Sequence, residues 1–238
     1  MQCVTVSLFR YEHLRHQWWA FTQMQLAYPK IQGAAGLQFF KMLGTGGDRG
    51  FSIFPNFKVY GLLSVWESEA DARHFFDQNK AFQQFCQRSE DQWTVYLKTI
   101  KAQGEWAGEN PFESTATYDS TAPVAVLTRA TIYAKHLHRF WKYVPRVSKS
   151  IHAKKGLLFS VGVGELPLIQ QATFSLWESS DAMIAYAYKS QYHKEVVQKT
   201  RELGWYKEEL FARFVPYKSE GSWEGKDLLA PFLRPIKI

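Results

Sequence analysis

One histidine lies on a helical stripe. Met183, Tyr186, Ser190, His193 and Val197 follow one another at intervals of 3, 4, 3 and 4 residues, which is the spacing of one face of an amphipathic helix. The pattern predicts that His193 faces inward. Neutral imidazole is a common ligand of metals and of haem iron, so His193 is a candidate metal ligand and catalytic residue. The alternative is a core histidine satisfied by one hydrogen bond, which the pattern by itself favours.

The position of His193 also differs between two copies of a repeated motif. His193 follows Trp177 of a Trp-Glu-Ser motif by sixteen residues, and the same count from Trp66 of the other Trp-Glu-Ser motif reaches Phe82. An aromatic residue in one copy and an imidazole in the other indicate that the repeat has diverged at an interior position. The ligand interpretation therefore stays open.

The other histidines and the glycine-rich stretches do not form a recognisable catalytic or phosphate-binding motif. The remaining histidines lie among charged residues, and the sequence has no His-Glu-x-x-His or paired-cysteine motif, so we do not expect a zinc enzyme. The glycine-rich stretches 44–47 and 162–164 lack the lysine of a phosphate loop, and neither leads into a predicted helix. We expect them at strand ends where two backbones approach closely.

A basic tract occupies the middle of the second half. No acidic residue lies between Asp119 and Glu165. Three interpretations compete: a solvated surface, attraction to anionic lipid headgroups, and binding of nucleic-acid phosphates. The last is the weakest, because no nucleic-acid module accompanies the charge. Four cations of the tract share one helical face, the predicted membrane-surface patch: Arg139, Lys142, Arg146 and Lys149.

Composition excludes several classes of protein. The 238 residues carry a formal net charge of +7, with 46% hydrophobic and 16% aromatic residues, which is unlike a disordered chain. No apolar run is long enough to span a membrane, and two cysteines do not make a disulfide framework. We expect a cytoplasmic protein, with peripheral contact at the inner membrane as an option.

The chain repeats itself. Gly36, Trp66 and the Gly-Glu-Trp-Ala-Gly run at 104–108 match Gly156, Trp177 and Gly-Ser-Trp-Glu-Gly at 221–225, at offsets of 111 to 120 residues. Each copy has the pattern β-α-β-β-α-β of a ferredoxin-like unit. The prediction is an α+β protein in which two tandem ferredoxin-like repeats, 1–107 and 123–238, flank a linker at 108–122 and form a pseudo-dimeric α+β barrel.

The elements expected in the two copies are equivalent. Ser68 with Asp71 three residues later predicts a capped second helix, and Ser179 or Ser180 does so in the second copy. Helices are expected at 14–30 and 135–152, followed in each copy by a second long helix. The expected strands are 4–10, 36–43, 57–66 and 93–99, and then 124–132, 156–163, 171–177 and 208–216.

Longer stretches resemble one known family from about residue 4 to residue 229. They are SLFR at 7–10, WAFTQM at 19–24, LTRATI at 127–132, FWKYVPRVSKSI at 140–151, VGVGELP at 161–167, QATFSLWES at 171–179, WYKEELFARF at 205–214 and GSWEG at 221–225. In these stretches the chain resembles the spheroidene monooxygenase family. The resemblance implies a haem-containing oxygenase that introduces a keto group into an acyclic carotenoid, on an α+β barrel.

The resemblance also implies roles for particular residues. His193 would be the axial ligand of haem b in the second half, Arg129 or Arg201 would pair with the haem propionates, and Trp205 would contact the cofactor. O₂ and an acyclic carotenoid or another apolar polyene would be the substrates. Because no flavin or nicotinamide motif occurs, electrons would come from a separate donor, a ferredoxin-like protein or a reductase. The alternatives are a cofactor-free barrel oxygenase and a binding protein for a small apolar ligand.

Overall fold

Eight strands form the core of the protein, four from each half of the chain. The computed structural model describes residues 1–47, 54–142, 155–189 and 203–233. The strands of the first half are β1 (Cys3–Arg10), β2 (Leu37–Gly46), β3 (Pro55–Trp66) and β4 (Asp91–Gly104). Those of the second half are β5 (Val124–Ile132), β6 (Leu157–Gly164), β7 (Gln170–Trp177) and β8 (Tyr206–Ser222).

The strands close into one antiparallel barrel, in the order β1-β3-β2-β6-β7-β5-β8-β4. Within each half the pairing is the same: the first strand lies between the third and fourth, and the second pairs with the third. This is the order of a ferredoxin-like unit. The mixed α+β barrel predicted from the sequence is confirmed, and the tandem duplication as its origin stays a prediction.

Two seams join the halves. At one seam β2 meets β6, where Gly44 pairs with Gly164. A Cβ at Gly164 would overlap the carbonyl oxygen of Gln170 at the start of β7, so glycine is required where β6 and β7 approach each other. At the other seam β4 and β8 pair from Gln92–Ser222 to Gly104–Leu210, which explains why both strands are longer than the sequence predicts.

Helices cover the outside of the barrel. In the first half they are α1 (Leu14–Leu26), α2 (Tyr28–Ile31), α3 (Glu69–Gln78) and α4 (Lys80–Arg88), and in the second half α5 (Ser180–Lys189). The Ser68 cap is confirmed, because its hydroxyl accepts from the Asp71 N–H at 3.3 Å. Ser179 caps α5 in the same way, accepting from the Ala182 N–H at 3.1 Å.

Two predicted helices of the first half are each broken in two. The helix expected over 14–30 is interrupted at Ala27, because Pro29 has no N–H and starts a new helix at α2. The long helix after Ser68 is interrupted at Asn79, which is extended and whose side chain accepts from the N–H groups of Ala81 and Phe82. Of the helix expected over 135–152, residues 134–136 are a 3₁₀ turn and 137–142 are helical, while 143–154 lie outside the described residues.

Side chains alternate between two faces of the barrel wall. The inward face fills the barrel with apolar side chains from both halves, among them Leu8, Leu127 and Phe214. The outward face lies under the helices and forms a separate core in each half. The segment 108–122, predicted to be a linker, contributes to the inward core through Phe112, whose ring lies 5.2 Å from that of Phe214.

Candidate functional site

The outward faces of the two halves differ in side-chain size. Strand register aligns them, because Trp66 and Trp177 occupy equivalent pairs with Cys3 and Val124. At four equivalent positions a bulky residue of the first half is matched by a small one in the second: Phe9 by Ala130, Phe40 by Ser160, Met42 by Gly162 and Leu62 by Thr173. The second sheet therefore presents a flatter, less filled outward surface.

In the first half this outward layer is packed with aromatic rings. Phe9 is fully buried, and its ring centroid lies 5.7 Å from that of Phe82 and 5.4 Å from that of Phe85, both on α4. Phe82, which the repeat aligns with His193, lies in this interior layer as expected. Little space remains for a ligand between this sheet and its helices.

In the second half the same layer is open. Thr128 lies in the middle of β5, paired with Thr173 on one side and Phe211 on the other, yet its side chain is exposed. Its counterpart in the first half, Ser7, is fully buried. The described residues therefore leave Thr128 uncovered. We call the surface of Thr128, Ala130, Ser160, Gly162 and Thr173 the open face; it is the candidate site. Thr128 is exposed, Ser160 and Thr173 are half-buried, and Ala130 and Gly162 are buried.

Aromatic and polar groups surround the open face. The Trp177 and Tyr186 rings are stacked at 5.3 Å, and the Arg213 guanidinium lies 5.3 Å from the Phe211 ring centroid. The Ser160 hydroxyl oxygen is shielded from solvent and has no hydrogen-bond partner within the described part of the chain. A face of small side chains with three hydroxyl groups and an aromatic border suits a large planar or elongated apolar ligand that carries a few polar groups.

Helix α5 carries the start of the predicted ligand stripe. Met183 is buried against the outward core, and Tyr186 stacks on Trp177, so the first two positions of the stripe face the sheet as predicted. The positions that follow, Ser190, His193 and Val197, lie outside the described residues.

Arg129 lies on the opposite face of the wall from α5. Its neighbours Leu127 and Ala125 are inward, and its guanidinium is buried inside the barrel, paired with Glu208 and with Glu165 at 3.6 Å. Burial lowers the pKa of the Arg129 guanidinium, and Glu165 opposes that shift. The predicted role with haem propionates stays a prediction, but within the described structure this cation already has two carboxylates.

The same carboxylates hold further groups. The Trp106 indole N–H donates to Glu165 at 2.7 Å, Lys41 lies 3.1 Å from Glu165, and the Gly108 N–H donates to Glu208 at 2.8 Å. This network joins the two halves at one end of the barrel. Sequence reasoning missed it, since the partners are far apart in sequence and no local motif marks them.

The other predicted site residues are dispersed. Trp205 is buried at the start of β8, with its ring 6.3 Å from Phe140 and its carbonyl accepting from Tyr133 at 3.0 Å. Arg139 and Lys142 are exposed, as a surface patch requires. Arg146, Lys149 and Arg201 lie outside the described residues.

The open face was also missed, although a signal for it exists. The repeat aligns Phe82 with His193. When the same alignment is extended to the strands, it shows that large residues of the first half correspond to small ones in the second. That extension needs the strand register, because only the register shows which residues share the outward face.

The described residues thus form an α+β barrel whose outward face is filled in the first half and less filled in the second. Spheroidene monooxygenase of Cereibacter sphaeroides is 36% identical over 228 residues, covering 95% of this chain and 70% of the relative. Spheroidene monooxygenase of Rhodobacter capsulatus is 34% identical over 232 residues, covering 97% of this chain and 96% of the relative. The chain belongs to the spheroidene monooxygenase family.

Two further comparisons concern the fold. A crystal structure of aldoxime dehydratase matches with a TM-score of 0.65 at 10% identity, covering 96% of this chain and 87% of that one, which shows a shared fold. No protein-family model matches the chain. Among the described helices, none has the length and apolar character needed to cross a membrane.

Proposed function

We propose that the protein is a haem-dependent monooxygenase that introduces a keto group into an acyclic carotenoid. The relatives named spheroidene monooxygenase align with nearly the whole chain, which supports this reaction class and substrate. The observation that carries the cofactor proposal is the open face: small side chains in the second half occupy positions that bulky ones fill in the first.

The residues of the open face fit a flat macrocycle. Gly162 and Ala130 stand where the first half has Met42 and Phe9, and the Trp177–Tyr186 stack provides an apolar border. When bound there, haem b would supply the redox-active iron that O₂ chemistry needs and that side chains lack. His193, which follows α5 in the chain, is the proposed axial ligand.

Two arginines, Arg201 and Arg213, are the proposed partners of the carboxylate groups of the cofactor. Arg201 and Trp205 keep their proposed roles near the cofactor. To these we add Arg213, because it projects from the outward face two residues after Phe211, whereas Arg129 projects inward. A guanidinium beside a carboxylate forms strong charge-assisted hydrogen bonds.

The reaction balances with two rounds of oxygenation. In each round one oxygen atom of O₂ enters a C–H bond at the end of the polyene. The other leaves as water, with two electrons from a separate donor and two protons. Two rounds at one carbon give a diol that loses water to form the ketone. Because apolar side chains fill the barrel interior in the described structure, the polyene would bind on the outward side, next to the open face.

The experiment is reconstitution with haem of the wild type, His193→Ala and His74→Ala. His74 is exposed on α3 and serves as the matched control. We expect a Soret band and ketone formation from an acyclic carotenoid in the wild type and in the control, and loss of both in His193→Ala. A wild type that stays colourless with haem yet forms the ketone would contradict haem dependence and favour a cofactor-free oxygenase. Carotenoid binding without conversion would favour a binding protein.

Peripheral contact with anionic lipid through the basic patch is part of the same proposal. Arg139 and Lys142 are exposed and lie in a stretch without acidic residues. Replacing Arg139, Lys142, Arg146 and Lys149 by Gln should reduce salt-sensitive binding to anionic vesicles. Equal binding by the two proteins would remove the lipid role of this patch.

A further inference from the structure

Helix α1 has its polar and apolar residues on unexpected sides. Its buried positions include Gln17 and Gln23, whereas Leu14, Trp18 and Phe21 are 81%, 68% and 45% exposed. A helix on the surface of a globular protein normally buries its large apolar residues and exposes its amides. In α1 the two buried amides share the inward side with Ala20, Trp19 and Met24, while three large apolar side chains stay outside.

The buried amides are used structurally, which fixes the orientation of the helix. The Gln17 side chain donates to the carbonyl oxygens of Tyr11 at 3.0 Å and Glu12 at 3.1 Å, at the turn that connects β1 to α1. Because these bonds hold this side of α1 inward, the outward position of the three apolar residues is a property of the folded protein.

The exposed residues form one continuous surface. Leu14, Trp18 and Phe21 are spaced by four and three residues, so they share one face of α1. The Trp18 and Phe21 ring centroids are 5.6 Å apart, and Phe21 lies 5.6 Å from Phe57 of β3, which is 47% exposed. We call Leu14, Trp18, Phe21 and Phe57 the aromatic stripe.

The charges around the aromatic stripe are positive. The sequence has no Asp or Glu from residue 13 to residue 47, and Arg15 and Lys30 are exposed on α1 and α2. The nearest acidic side chain towards the N-terminus, Glu12, is paired with Lys58 at 2.7 Å. At the start of α1, Glu90 lies 3.7 Å from His13. The stripe is therefore an apolar surface on a helix pair that carries the exposed cations Arg15 and Lys30.

We propose that the aromatic stripe is a membrane-docking surface that inserts into the interfacial region of a bilayer with anionic headgroups. Trp and Phe on one side of a helix, with cations beside them, are the composition of helices that lie in the membrane interface. A stripe that bound an acidic protein surface would also need apolar complementarity, but the combination of protruding rings and peripheral cations matches lipid directly. This surface belongs to the first half and is separate from the basic patch of the second half.

The test is co-sedimentation of the full chain, without haem, with vesicles of phosphatidylcholine alone or mixed with phosphatidylglycerol. The stripe variant is Leu14→Gln/Trp18→Gln/Phe21→Gln. The matched control replaces three exposed apolar residues elsewhere by Gln: Tyr118, Leu166 and Leu203. A third variant, Arg15→Gln/Lys30→Gln, removes the flanking charge.

We expect wild type and control to bind the anionic vesicles, and the stripe variant to bind at least about tenfold more weakly. The charge variant should lose the preference for anionic over neutral vesicles. All variants should keep the wild-type melting temperature, because every replaced side chain is exposed.

Three results would overturn the proposal. They are equal binding by the stripe variant and the control, absence of wild-type binding to either vesicle, and a wild-type dimer that becomes a monomer in the stripe variant. The last result would make the stripe an interface between copies of this chain. None of these measurements depends on haem or carotenoid, so failure here is distinguishable from failure of the proposed enzyme activity.

Discussion

Arg129 is the residue on which the polar end of the barrel depends. It is 4% exposed, and its two carboxylate partners come from the β6–β7 connection and from β8. The Arg129 guanidinium is buried, whereas Glu165 and Glu208 are half-buried. Removing the cation leaves Glu208 without this counter-charge and Glu165 with Lys41, in a partly desolvated site.

We therefore expect Arg129→Met to lower the free energy of unfolding by about 2 kcal/mol, because the half-buried carboxylates of Glu165 and Glu208 lose a buried counter-charge while Lys41 stays beside Glu165. Urea denaturation monitored by circular dichroism measures this. The control Arg139→Met removes an exposed cation of the same half and should change the stability by less than about 1 kcal/mol. Equal stability of the two variants would show that the network contributes little to folding.

Cys3 provides a second test at the residue scale, in the first half. Its thiol is buried and lies 3.3 Å from the Tyr217 hydroxyl, and burial raises the pKa of Cys3 from 9.0 to about 11. A raised pKa favours the protonated thiol in the folded state. The stability from this group is complete below pH 9 and is lost as the pH rises through about 11.

We expect Cys3→Ser to weaken the alkaline loss of stability, by up to about 1 kcal/mol per pH unit. Chemical denaturation at several values between pH 8 and pH 11 measures the slope. The comparison variant is Cys86→Ser, whose thiol also has a pKa raised by burial to about 11. An unchanged slope in Cys3→Ser would contradict the assignment of this titration to Cys3.

At the scale of elements, the helices and strands that local sequence patterns mark could be predicted, whereas features set by tertiary packing could not. The Trp-Glu-Ser repeats and the Ser68–Asp71 cap predict the order and type of most elements. The breaks at Ala27 and Asn79 also have local causes, a proline and an asparagine cap, which the sequence contains but the periodicity conceals.

Tertiary features were beyond the sequence for a physical reason. The partners of Arg129 and the orientation of α1 depend on which strands become neighbours. The bonds from Gln17 to the β1–α1 turn fix which side of α1 faces inward, and no local pattern marks them. Likewise, His193 could be proposed from one stripe, but the open face required the register of three strands.

At the scale of the whole molecule, the halves share one barrel. β4 pairs with β8, β2 pairs with β6, and inward side chains of both halves form one core. That the two halves are repeats of one ancestral unit stays a prediction. Their shared core implies that they unfold together.

The expected result is one calorimetric transition, shifted to lower temperature by Phe82→Ala in the first half and by Phe214→Ala in the second. Each replacement removes a buried ring and should cost about 3 to 5 kcal/mol. The exposed Phe21→Ala is the control and should leave the transition near that of the wild type. Two separate transitions, of which each variant shifts only one, would contradict a single cooperative barrel.

The central claim is that the open face of the second half is the haem site. The most direct measurement is a haem titration of wild type, Thr128→Val and Thr128→Phe, followed by the Soret band. Because Thr128 is exposed, the fold should tolerate both replacements, and equal melting temperatures of the apoproteins check this. We predict stoichiometric binding by wild type and Thr128→Val, and binding weakened at least about tenfold in Thr128→Phe, whose ring would fill the open face. Equal haem affinity of Thr128→Phe and Thr128→Val would contradict it.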